Sequence, residues 1–234
     1  MSDLDFETFL LIRPNNFVIS IFQKSNFRKV YEKEISVENS SKKLNIEFLK
    51  KFIDDNIIEI EKTLDNFIEK ANLIIESDSF FIVNSSIKKN YSGNSVDQIN
   101  LNYLLNDLKN QCKNTFEDKK IIHILIKNFR IDKKDYSNFP KDLKCENFAV
   151  DVSFICLSND LINSIKVILN NYQISVDRIV NFNYVKDYFK DNSSLDLYNM
   201  TKQIISGINS NEAFLVPKTS KNKGFFEKFF QLFS

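Results

Sequence analysis

Three glycines in 234 residues, Gly93, Gly207 and Gly224, each isolated from the others, set the tightest limit on this chain. A dinucleotide-binding turn, a Walker loop or a pair of phosphate hairpins needs clustered glycines, because only backbone without a Cβ can approach a phosphate closely. None of these can be built from single glycines, so nucleotide hydrolysis is not expected and no cofactor is called for. Charge narrows the field further. The 32 basic residues nearly cancel the 31 acidic ones, which leaves no global field to draw in nucleic acid. With 43% hydrophobic and 27% charged residues the chain reads as folded rather than disordered, and its length allows one large domain or two small ones.

Cys112, Cys145 and Cys156 form no CxxC and no metal-ligand spacing, and an odd count fits a reducing compartment. The opening MSDLDFETFLLIRPNN places acids before a short apolar run, the reverse of a secretory leader. No apolar run approaches the roughly 20 residues of a transmembrane helix. A cytoplasmic protein is the expectation.

Hydrophobic periodicity predicts strands at 9–13 and 17–23 around a Pro14-Asn15-Asn16 turn, and a third at 29–37. Ile46, Leu49, Ile53, Ile57, Ile60, Leu64, Phe67, Ile68 and Ala71 recur at steps of three and four, which predicts a long helix over 46–71. Short strands follow at 72–75 and 79–87, then a helix at 96–112. Two long strands, 120–131 and 148–157, flank a loop holding Pro140. A helix from 159 or 160 to 171, a strand at 176–182, helices at 184–190 and 195–206 and a strand at 213–216 complete the pattern. Residues 217–223 read as a linker.

That order resembles the first half of the bacterial actin-like division protein FtsA, in which a subdomain called 1A is interrupted by a small SHS2 module, 1C. The stretch KKIIHILIKNFRIDKKDYSNFPKDLKCENFAVDVSFI (119–155) is similar in its His at 123, its aromatic at 129 and its Asp at 132. LINSIKVILNNYQISVDRIV (161–180) is similar in Asn163 and in Val176-Asp177. IEIEKTLDNFIEKANLII (58–75) looks like the long helix and strand of 1A. The resemblance covers roughly 8–190. It departs in the first hairpin, where actin-like ATPases carry Asp-x-Gly and this chain has Arg13-Pro14-Asn15. The half bearing the second phosphate loop and the usual contact with FtsZ does not follow, which leaves ATP binding unexpected and an FtsZ contact doubtful.

GFFEKFFQLFS (224–234) puts Phe225, Phe226, Phe229, Phe230, Leu232 and Phe233 on one helical face, with Glu227, Lys228 and Gln231 on the other. Lys218, Lys221 and Lys223 precede it. A terminal helix packed on the core is one reading. The lysine-rich linker and a five-Phe patch favour a helix at an anionic membrane surface, and the resemblance implies such a helix too. Burial of each side chain is worth about 1.5–3 kcal/mol, against about 1–2 kcal/mol per ordered residue, so this is a weak anchor that suits a protein acting in clusters.

His123, the sole histidine, has no partner nucleophile near it in sequence and reads as structural. The cysteines read as small buried apolar groups. Lys-Lys pairs at 42–43, 88–89 and 133–134 are scattered and read as solvated faces.

The expectation is an α+β chain, a partial actin-like (ribonuclease-H-like) subdomain with an inserted SHS2-type module and a C-terminal amphipathic helix. Its divisions are 1–83 for subdomain 1A, 84–182 for the SHS2-like module, 183–216 for a closing segment, 217–223 for the linker and 224–234 for the membrane helix. The function expected is a non-enzymatic, FtsA-like scaffold of cell division, peripheral on the inner face of the membrane at the division site. It would contact other division proteins or itself through the SHS2 module. The alternative is a PilM-like cytoplasmic adaptor of an envelope-spanning assembly. A third reading, an enzyme, requires a pocket where carboxylates converge on His123.

Overall fold

Two strands that are apolar along most of their length, joined by a two-residue turn, begin the fold. The computed structural model describes residues 5–36, 43–140, 143–191 and 194–213. β1 (Phe6–Arg13) and β2 (Asn16–Gln23) pair antiparallel from Phe6↔Gln23 to Arg13↔Asn16, with Pro14 and Asn15 at the tip. β3 (Arg28–Ser36) pairs antiparallel with β2 and forms a charged, exposed edge that discourages further pairing.

α1 (Ile46–Leu64) follows, its first turn capped by Asn45, whose side chain accepts the Phe48 N–H at 2.9 Å. Leu49, Phe52, Ile53, Asn56, Ile57 and Ile60 form its buried face. The helix ends earlier than its periodicity predicts. Asp65 is left-handed at φ 49° and donates its N–H to Glu61 O, so 66–71 leave the helical path. The chain then enters β4 (Lys70–Ile75), which needs Ala71 in extended form, and Phe67 is left 80% exposed.

β5 (Phe80–Asn90), β6 (Ser95–Val96), α2 (Gln98–Thr115), β7 (Lys119–Ile131), β8 (Lys134–Tyr136), β9 (Leu143–Lys144) and β10 (Asn147–Ser158) come next. α3 (Asn159–Asn170), β11 (Ser175–Asn181), α4 (Phe182–Tyr188) and α5 (Leu197–Ile205) close the described chain. Strands and helices are thus mixed, the α+β class expected.

The chain divides into two compact units. Of the described residues, the first comprises 5–36, 43–82, 113–122, 155–191 and 194–206. Its sheet has the order β11-β4-β1-β2-β3, with β1, β4 and β11 parallel and β2 antiparallel between β1 and β3. One core joins the inner faces of α1 and α3 to Leu10, Ile12, Ile19, Ile21, Leu73 and Ile75 of the sheet. A second cluster, Phe9, Leu11, Val18, Phe22 and Ile74 with Tyr198 of α5, covers the opposite side. Helices therefore cover both faces, which allows the central strands to be apolar on both sides.

Of the described residues, the second unit comprises 83–112, 123–140, 143–154 and 207–213. It carries most of a sheet of order β5-β10-β7-β8. Phe129, Phe139 and Phe148 meet in its interior at centroid separations of 5.5–6.4 Å. Asp132, at φ 53°, turns β7 into β8 and accepts the Glu146 and Asn147 N–H groups at 3.0 and 2.8 Å.

These bounds differ from the division at 83 and 182. β11 joins the first sheet through Ser175↔Lys70 and Asn181↔Ile75, and Ile162, Ile165, Ile168 and Leu169 of α3 belong to the first core. The apolar faces of α1 and α3 complement each other, so 155–206 returns to the first unit and the second is discontinuous. Of the segment predicted as a strand at 213–216, only Ala213 lies among the described residues; the linker 217–223 and the helix 224–234 lie outside them.

Candidate functional site

In an open sheet with parallel strands, ligands bind outside the carboxyl ends of the strands where the winding direction reverses. Here that point lies between β1 and β4, because β2 and β3 extend the sheet one way and β4 and β11 the other. The side chains there pair with each other. Arg13 Nε, at the end of β1, donates to Glu76 Oε2, just past β4, at 2.6 Å. The Arg13 guanidinium carbon also sits 4.9 Å from the ring centroid of Phe182, which opens α4 after β11. Lys186 Nζ lies 5.9 Å from the same ring. The turn from β1 to β2 contributes Pro14, which has no N–H to offer. Asn181 is committed locally, accepting the Tyr184 N–H at 2.7 Å as the cap of α4. The crevice therefore holds a carboxylate paired to Arg13, and its first turn has a proline where a backbone donor could stand.

The second unit has a groove of a different character, about 180 Å³, bordered by Leu101 and Leu105 of α2, Ile126 and Phe129 of β7, Phe139, and the segment 210–213. β8 pairs with β7 only from Phe129 to Ile131, so the edge of β7 nearer its start needs another partner. Residues 211–213 supply it. The Ile126 N–H donates to Asn211 O at 2.8 Å, the Ala213 N–H donates to Ile124 O at 2.9 Å, and Leu125 bridges Glu212 antiparallel. Asn211 Nδ2 also donates to Ser137 O at 3.0 Å.

Beside this strap, His123 Nδ1 and Glu212 Oε1 lie 2.6 Å apart, with the two side chains 4% and 3% exposed. The structure thus gives His123 a carboxylate partner 89 residues away in sequence. Neither local spacing nor periodicity singles out Glu212, and only the fold brings the two together. Among the described residues that border the groove, Glu212 is the one carboxylate.

The three cysteines are buried thiols, and burial, with Asp132 and Glu146 adding to it, pushes the Cys145 thiol up. Lys88, Lys89, Lys133 and Lys134 are exposed. Among the described residues no group of three or more His, Cys, Asp and Glu is disposed to hold a metal, and no helix is long and apolar enough to cross a membrane. Phe225, Phe226, Phe229, Phe230, Leu232, Phe233, Lys218, Lys221 and Lys223, the residues expected to meet a membrane, lie outside the described residues.

No protein-family model matches the chain, and no curated protein matches it. Among solved structures it is similar to the cytoplasmic domain of EpsL, an inner-membrane component of the type II secretion system of Vibrio cholerae. Identity there is 10% and the TM-score 0.41, over 77% of this chain and 59% of that one. It is also similar to a PilM–PilN type IV pilus biogenesis complex, at 7% identity and a TM-score of 0.45, over 78% of this chain and 49% of that one. A Bacteroides thetaiotaomicron protein of unknown function with an actin-like ATPase fold matches at 12% identity and a TM-score of 0.27, over 86% of this chain and 98% of that one. The chain thus spans about half to three-fifths of the first two structures.

Proposed function

We propose that this chain is a non-enzymatic adaptor that works by protein–protein contact in a membrane-associated assembly, with its second unit as the docking module. The observation that carries this reading is the pairing of Arg13 with Glu76, beside Phe182, at the end of β1 and β4. Where an open sheet of this kind takes a ligand, Arg13 and Glu76 of the chain itself pair with each other, whereas the second unit presents a largely apolar groove beside a sheet edge.

The partial actin-like character, the SHS2-type insertion and the absence of catalysis belong to this proposal. So does attachment to the cytoplasmic face of a membrane through 224–234. The pilus complex and the secretion component described above define the class of assembly to test first, an envelope-spanning machine with a PilM-like adaptor. A division scaffold of FtsA type is the second reading, favoured by the stretch 119–155.

A photo-crosslinking residue at Asn102, which lines the groove, tests the proposal in cells, with Lys50 on the exposed side of α1 as control. The adaptor reading predicts one dominant adduct from position 102, to an inner-membrane protein, and none from position 50. A fluorescent fusion should then sit at envelope foci. A mid-cell band moves the assignment to division, and equal labelling from both positions contradicts docking through the second unit.

A further inference from the structure

We infer that the groove of the second unit takes up the aromatic stripe of 224–234 of the same chain. The stripe is then held either in the groove or at an anionic lipid surface, and a partner that enters the groove releases it to the lipid. The inference rests on the docking role proposed above for the second unit and names what regulates access to it.

The groove suits an aromatic occupant. Among the described residues, Leu101, Leu105, Ile126, Phe129 and Phe139 form its apolar border, and the rings of Phe129 and Phe139 meet edge to face at 5.5 Å. Its volume is about 180 Å³. An apolar cavity of about 150 Å³ takes up a benzene ring, so this one has room for a phenylalanine side chain. A ring that enters it joins an aromatic cluster already in place. Gln98 and Asn102 of α2 add neutral amides to the rim, which suit the polar face of Glu227, Lys228 and Gln231.

The chain itself delivers such an occupant. Residues 210–213 border the groove, so the sequence beyond Ala213 sets out from its rim. Ten residues, 214–223, separate that point from Gly224, a reach of at most about 36 Å. A tether of that length keeps 224–234 beside the groove at an effective concentration on the order of millimolar. An amphipathic segment laid into a groove is anchored at i, i+3, i+4 and i+7, and Phe226, Phe229, Phe230 and Phe233 stand at that spacing. The same four side chains are the ones that meet lipid in the proposed attachment. One face serves one surface at a time, and by linkage each surface weakens the other's hold by the same factor.

The test uses the purified full chain with a photo-crosslinking residue at Asn102 and no other protein present, with the crosslinks mapped by mass spectrometry. The dominant crosslink should run within one chain, from position 102 to 225–233, at a yield independent of protein concentration. Phe229→Glu with Phe230→Glu should lower that yield by about tenfold. Vesicles of phosphatidylglycerol and phosphatidylcholine should lower it at least about fivefold. Conversely, Leu105→Gln in the otherwise native chain should tighten sedimentation with the same vesicles at least about fivefold. If that variant fails to fold, Asn102→Glu on the rim should act in the same direction. A dominant crosslink to 214–216 or to a second copy overturns the inference, and so does a crosslink to 225–233 that vesicles leave unchanged. No arm contains a partner protein, so these failures leave the in-cell adduct from position 102 untouched. An internal crosslink to 225–233 without that adduct in cells would contradict the adaptor reading alone.

Discussion

Tyr198 shows how much of this fold is decided by single polar atoms on a buried sheet face. It lies 8% exposed against Phe9 and Phe22, and its hydroxyl meets Ser20, which is itself fully buried and donates to Glu32 Oε2 at 2.7 Å. Burial, with Glu32, Glu34 and Asp196 nearby, pushes the phenol from 10.0 up to about 12, while the Ser20 contact opposes the shift. Below pH 10 the phenol is protonated in both folded and unfolded chains, and its contribution to stability is complete. Between 10 and about 12 the unfolded chain releases the proton and the folded chain keeps it, so stability falls with rising pH. The shift corresponds to on the order of 2–3 kcal/mol. Urea unfolding of wild type across this window should show that loss, and Tyr198→Phe should show a loss smaller by that amount. Parallel curves for the two proteins would refute the assignment. Little of this was legible in advance, because the tyrosine stands 178 residues from the serine and no local pattern joins them.

At the scale of elements, α1 tests how far periodicity reaches. Its apolar spacing located the start and the buried face correctly and overran the end by seven residues, from Leu64 to Ala71. Apolar spacing runs on through Phe67, Ile68 and Ala71, but the helix stops at Asp65 in the left-handed region. Ile68 is then buried on the way into β4, and Ala71 within it, so one apolar pattern served two elements. The buried face makes a clear mutational contrast. Ile53 is 1% exposed and Ile58 is 56% exposed on the same helix. Ile53→Ala should cost about 2–5 kcal/mol, and Ile58→Ala about 0.5 kcal/mol or less. Denaturant midpoints of the two variants measure this, and similar costs would mean that α1 packs on a different face.

Across the whole molecule, the longer strands and helices were readable in order because each carries its own hydrophobic period, and the turn at Pro14 and Asn15 marked the first hairpin, whereas β6, β8 and β9, of two or three residues each, are too short to carry a period. The partition into units was not readable. β11 and α3 belong to the first unit through parallel pairing with β4 and packing on α1, and such long-range contacts leave no mark on local sequence. The candidate site divided the same way. The lack of glycine clusters and the Arg13-Pro14-Asn15 turn left nucleotide binding unexpected, and the pairing of Arg13 with Glu76 had no mark in local sequence. The groove and the His123–Glu212 clasp arise only when 207–213 is laid on β7. The proposed function has Arg13 and Glu76 pairing across the first sheet's crevice in place of a nucleotide, and the protein acting by contact with other proteins. Calorimetric titration of the full chain with Mg-ATP tests this most directly. The account predicts no binding heat at millimolar nucleotide, whereas a micromolar affinity, weakened by substitution at Arg13, would contradict it.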